Sequence, residues 1–175
     1  MKSLKNWDNK TWLSSKNYIN SFNSFILKNT KLNKNSKILD IGCGRGKIIG
    51  NLSGRLNLAN KPIGVDIENH KDRSKKILFK QTSGLLFISK TKITFDLILI
   101  KQTIHLFNFR EIKKLLSLSK KNLTQDGKIL IFTLETYKNE LPTFRLMKTR
   151  LTKSLQRDEK ISNLITTLYL SLIHI

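Results

Sequence analysis

Residues 38–49 read Ile-Leu-Asp-Ile-Gly-Cys-Gly-Arg-Gly-Lys-Ile-Ile: a short apolar run, an acid two positions before the first of three alternating glycines, then an apolar-periodic segment. Few folds accommodate that order. The apolar run predicts a buried strand, the glycines a sharp turn with no side chain between backbone and ligand, and the following segment a helix. Free N–H groups at the start of that helix favour an anionic group in front of it. The dinucleotide form of such a loop, Gly-x-Gly-x-x-Gly, would require glycine at position 47, where this chain has Lys47. The pattern present is Asp40-x-Gly42-x-Gly44-x-Gly46.

A second acid follows at a telling distance. Pro62 and the run Ile63-Gly64-Val65-Asp66-Ile67 predict another short buried strand that ends on Asp66. A carboxylate there, about 20 residues after the glycine loop, is placed to accept hydrogen bonds from ribose hydroxyls. The alternative role for Asp66 is an N-cap of the segment that follows.

The remaining chain fits the same scheme. Apolar residues from Thr11 to Leu27 (Trp12, Leu13, Tyr18, Ile19, Phe22, Phe25, Ile26) recur at helical spacing, and Lys47–Asn57 forms the helix after the loop. Ile77–Phe79 predicts a third strand, and Phe95–Ile100 a fourth, apolar enough to be buried on both faces. A helix over Arg110–Lys121 follows, then a turn at Thr124-Gln125-Asp126-Gly127 and a strand over Lys128–Leu134. Strands alternating with helices imply an open parallel sheet with helices on both faces. Beyond Leu134 the spacing of Phe144, Met147, Leu151 and Leu155, and again of Ile161, Leu164, Ile165 and Leu168, is helical only.

These motifs resemble class I S-adenosylmethionine-dependent methyltransferases. Asp40 to Gly46 is similar to their first motif, and Asp96 to His105 to their fourth motif and its sequel. Leu123 to Ile131 is similar to the family's entry into strand five, with one glycine where the family usually has two. The matches span residues 36–134. The resemblance implies an α/β, Rossmann-like open and mostly parallel sheet flanked by helices, with an N-terminal helix and a helical C-terminal tail. It divides one methyltransferase domain, 1–175, into an N-terminal helical segment (1–35), a cofactor-binding core (36–134) and a tail (135–175). The family sheet usually has seven strands. The last two are missing from the pattern here, which reads as a fragment with a substrate-side insertion, or as a shortened sheet.

The same resemblance implies S-adenosylmethionine as cofactor. Asp40, Gly42, Cys43, Gly44 and Gly46 would cradle it, Asp66 would hold the ribose, and Ile67 would pack on the adenine. Ser83 and Gly84 occupy the place of the adenine-binding loop, with Ser83 where the family often has an acid. Lys101 would lie at the edge of the cofactor and substrate pocket, and His105 is the candidate general base or else a pocket-lining imidazole. His70 and His174 are isolated, and no metal site is expected. The single cysteine, Cys43, excludes an intramolecular disulfide and reads as a small side chain in a crowded turn more than as a reactive thiol.

Composition qualifies the partner. With 33 Lys and Arg against 12 Asp and Glu the net charge is +21, which invites a nucleic-acid substrate. The lysines are spread along the whole chain, however, amid a general excess of Lys, Asn and Ile, and diffuse charge does not specify a site. No apolar run is long enough for a membrane helix and no signal-peptide core follows Met1, so a cytoplasmic protein is expected. The leading expectation is methyl transfer to a small molecule. An RNA methyltransferase and a cofactor-binding remnant without turnover are the alternatives.

Overall fold

A computed structural model of the chain describes residues 16–132. Helix α1 (Lys16–Asn29) leads into β1 (Ile38–Ile41), α2 (Lys47–Leu56), β2 (Ile63–Asp66), β3 (Leu78–Gln81), α3 (Gly84–Lys90) and β4 (Phe95–Lys101). A 3-10 turn (Ile104–Leu106), α4 (Phe109–Lys121) and β5 (Leu123–Phe132) complete the described part. The five strands form one sheet in the order β3-β2-β1-β4-β5, every neighbouring pair parallel.

Side-chain alternation along the strands builds the two faces. Phe95, Ile98 and Ile100 of β4 join Leu39, Ile41, Ile129 and Ile131 under α3 and α4. Leu97 and Leu99 face the other way, with Ile38 and Leu130, against Phe22 and Ile26 of α1 and Ile49 and Leu52 of α2. β4 runs apolar from Leu97 to Ile100, each residue fully buried, because it lies between two helix layers. Fully buried Asn23 joins α1 to α2, its Nδ2 donating to the Ile48 carbonyl at 3.0 Å and to Asn51 Oδ1 at 2.8 Å.

Three elements differ most from the sequence expectation. β3 covers Leu78–Gln81, where periodicity indicated Ile77–Phe79; Ile77 is instead buried against Gly46 at the start of α2. β5 starts at Leu123, not after a separate turn. Leu123 pairs with Phe95, the register then shifts, and Lys128 pairs with Leu97, so residues 124–127 are an irregularity inside the strand. Gly127 is needed there, since a Cβ would lie 2.6 Å from the Phe95 carbonyl oxygen. Helix α3 had no expectation at all; at seven residues it is too short to show a period. Residues 1–15 and 133–175, including Trp12, Leu13, the end of the expected fifth strand, the helical tail and any strands after β5, lie outside the described residues.

In this order the chain winds from β1 through β2 to β3, then returns to the other side of β1 as β4. The direction reverses between β1 and β4, and the crevice at their carboxyl ends is where open α/β sheets bind ligands.

Candidate active site

The glycine loop lies at that crevice. Gly42, Gly44 and Gly46 all have left-handed backbones (φ 75°, 50° and 64°), which explains why the alternating residues are glycine. Two of them also stand beneath other side chains. A Cβ on Gly42 would fall 2.0 Å from Thr103 Oγ1, and one on Gly46 2.3 Å from Ile77 Cδ1. The N–H groups of Gly42 and Cys43 both donate to the Val65 carbonyl, at 2.8 and 3.1 Å, and so tie the loop to the end of β2.

Asp40 and Asp66 stand on either side of the loop. Asp40 is buried among apolar strand residues, and its Oδ1 has no hydrogen-bond partner among the described residues. Burial pushes its carboxyl up to about 7; the charge of Lys101 pulls it back and that of Asp66 pushes it further. Asp66, half-buried at the end of β2, accepts from the Gly44 N–H at 2.7 Å (Oδ2) and from the Glu68 N–H at 2.9 Å (Oδ1). Each of its oxygens keeps a second lone pair for a ligand. The bond to Glu68 is a local Asx turn and not a helix N-cap, since no helix lies between β2 and β3, and it coexists with that capacity. Next to it, Ile67 is 65% exposed, an apolar side chain left uncovered just past the end of β2.

The structure brings most of the sequence-predicted residues to this crevice. The Thr82 N–H donates to the Asp66 carbonyl at 2.9 Å and Gln81 Nε2 to the Ile67 carbonyl at 3.3 Å, which sets the 81–83 loop beside Ile67. Ser83 is the N-cap of α3, its Oγ accepting from the Leu86 N–H at 3.2 Å. Gly84 is a packing position: a Cβ there would lie 2.2 Å from Ile41 Cγ2. Lys101 ends β4 next to β1, with its Nζ 5.4 Å from the centre of the Tyr18 ring. Burial pushes the Tyr18 phenol up to about 12, so it stays protonated at neutral pH. His105 belongs to the 3-10 turn beyond β4, and its side chain lies outside the described residues.

Cys43 takes the bland role. Its Sγ would lie 2.8 Å from a Cβ on Gly64, so the thiol fills the space that glycine leaves in β2. Burial and the carboxylates of Asp40 and Asp66 push the thiol pKa up, the reverse of an activated cysteine.

Two groups went unrecognised in the sequence. Arg45, buried inside the loop, donates from Nε to Asp72 Oδ1 at 2.7 Å, while the Ser74 N–H donates to the Arg45 carbonyl at 2.9 Å. These bonds fasten the glycine loop to the β2–β3 connection, and the arginine keeps the Asp72 carboxyl below its usual range. An arginine among glycines was the available signal, but its partner lies 27 residues away. The other is Thr103, whose position over Gly42 nothing local in the sequence announces.

The fold is that of the class I S-adenosylmethionine-dependent methyltransferases. No protein-family model matches the sequence, and no curated protein matches it either. Solved structures do. One is the plantazolicin methyltransferase BpumL, solved with a pentazolic desmethylPZN analog and SAH: 25% identity, TM-score 0.58, covering 94% of this chain and 61% of that one. CalS10, an amino pentose methyltransferase from Micromonospora echinaspora solved with SAM, is 14% identical with TM-score 0.58, over 76% of this chain and 55% of that one. A precorrin 8w decarboxylase from Methanobacterium thermoautotrophicum is 15% identical with TM-score 0.56, over 78% and 70%. The chain thus spans 55% to 70% of the length of these structures. The decarboxylase among them shows that this fold does not dictate one reaction, and the site must carry the functional argument.

Proposed function

We propose that this protein is an S-adenosylmethionine-dependent methyltransferase acting on a small-molecule acceptor. The observation that carries the reading is the buried Asp40 carboxylate, with its orphaned Oδ1, beside a loop of three left-handed glycines. A buried acid without a donor fits a ligand that brings positive charge, and S-adenosylmethionine has a sulfonium and an ammonium. Asp66, with a free lone pair on each oxygen, fits the ribose hydroxyls, and exposed Ile67 fits the adenine face. Ser83, already capping α3, keeps a hydroxyl proton and a lone pair for the adenine edge. Neighbours of the same fold solved with SAM or SAH support the choice of cofactor.

When bound, the cofactor supplies a methyl carbon already activated by positive sulfur. Asp40, Asp66 and the glycine loop would hold it, and methyl transfer to an acceptor lone pair would leave the carbon–sulfur electron pair on sulfur and release the acceptor's proton to water or a base. The chain's own residues mainly align the reactants and exclude water. Asp40 and Asp66 fix the two ends of the site through β1 and β2, and the Arg45–Asp72 pair holds the loop between them. Lys101 lies at the β4 edge, where its charge favours ionised Asp40. His105, two residues past the Thr103 contact, is the candidate base in this reading.

The full chain should transfer tritium from methyl-labelled S-adenosylmethionine to a small-metabolite extract, giving a labelled product that identifies the acceptor. Labelling confined to added RNA would shift the reading to an RNA methyltransferase. The absence of labelled product, from folded protein that binds the cofactor, would reduce the chain to a binding protein.

A further inference from the structure

Among the described residues only two non-glycine residues have left-handed backbones, Asn57 and Gln102. Asn57 is the C-cap of α2, an ordinary place for it. Gln102, at φ 51°, has no such excuse: it caps no helix, and glutamine gains nothing locally from this conformation. It stands directly after β4, across from the start of the glycine loop, since Ile100 pairs with Ile41.

The surroundings hold that conformation from both sides. The Gln102 N–H donates to the Phe132 carbonyl at 2.6 Å, at the end of β5. On the other side, Thr103 Oγ1 donates to the Lys101 carbonyl at 2.9 Å and the Thr103 side chain rests on Gly42. Ile104 then anchors the turn in the core. The half-buried Gln102 carboxamide, meanwhile, makes no hydrogen bond among the described residues. Strain of this kind persists where the residue's identity serves function, because glycine would satisfy the backbone at lower cost.

We infer that Gln102 positions the methyl acceptor, its carboxamide hydrogen-bonding an O–H or N–H group beside the atom that is methylated. A carboxamide both donates and accepts but does not take a proton at neutral pH, so its contribution is alignment, and the acceptor's proton leaves by another route. The Thr103–Gly42 contact links this residue to the cofactor loop, which sets the acceptor's distance from the methyl group. The inference rests on the methyltransferase reading.

The test uses the same tritium transfer to a small-metabolite extract, run as a dilution series so that apparent kcat and KM separate. Gln102→Gly relieves the backbone and removes the carboxamide; Gln102→Asn keeps a carboxamide on a residue that tolerates this backbone. The Gly variant is expected to melt within about 2 °C of the parent or above it. It should bind S-adenosylhomocysteine within about twofold, yet lose at least about tenfold in kcat/KM for the acceptor, and the Asn variant should recover part of that loss. Gln102→Gly with kcat/KM unchanged would overturn the inference. So would a loss of melting temperature or cofactor affinity parallel to the loss of activity, which would mark a structural residue. No transfer by the parent chain would overturn the methyltransferase reading, and this inference with it.

Discussion

Asp40 shows how much one position can hold. Its ordinary carboxyl pKa is 3.8, and in the folded chain it is about 7. The folded chain therefore keeps a proton that the unfolded chain has already released between those values. Asp40's contribution to stability is fullest below about pH 4 and falls as pH rises towards 7. Asp40→Asn should flatten that part of the stability–pH curve, measured by denaturant melts. A cationic ligand reverses the preference by favouring the ionised form, so affinity for S-adenosylhomocysteine, through its ammonium, should climb with pH up to about 7 in the parent and lose this dependence in Asp40→Asn. Calorimetric titrations at several pH values read this directly; a pH-independent parent would mean that Asp40 does not meet the ligand's charge. The acid itself was legible from its spacing to Gly42. Its orphaned oxygen and raised pKa were not, because the β4 strand that pairs with β1 and the charge of Lys101 come from a distant part of the sequence.

Elements differed in how far their own residues specified them. β1, the glycine loop and α2 were legible because strand, turn and helix signals follow one another without a gap. α4 was legible from its apolar period, and the structure adds a capping box that was not expected: Asn108 accepts from the Glu111 N–H at 3.0 Å and Glu111 Oε2 accepts from the Asn108 N–H at 2.8 Å. Asn108→Ala should cost about 1 kcal/mol of stability in a denaturant melt, and an unchanged midpoint would remove the cap from the account. α3 and the first residues of β5 stayed hidden for opposite reasons. The helix is short and begins at a glycine chosen for its fit against Ile41, while Leu123 joins the sheet only because Phe95 is there to pair with it. The Thr103 contact on Gly42 was equally invisible, since it joins the ends of two strands that are neighbours only in the folded sheet.

At the scale of the whole molecule, topology collects what the sequence scatters. The order β3-β2-β1-β4-β5 brings Asp40, Asp66, Ile67, Lys101 and Gln102 to one end of one sheet, around the reversal between β1 and β4. The positive charge is spread along the whole sequence and has no such focus, which is why it argues for little beyond weak attraction to polyanions. No helix among the described residues is long and apolar enough to cross a membrane. The central claim is that the glycine loop holds S-adenosylmethionine between Asp40 and Asp66. Isothermal titration of the folded full chain with S-adenosylhomocysteine at pH 8 tests it most directly. The account predicts one site with a dissociation constant on the order of micromolar, abolished by Gly44→Leu and weakened at least tenfold by Asp66→Ala, whose ribose contacts would be lost. No heat from the parent chain, or equal binding by all three proteins while circular dichroism shows them folded, would contradict it.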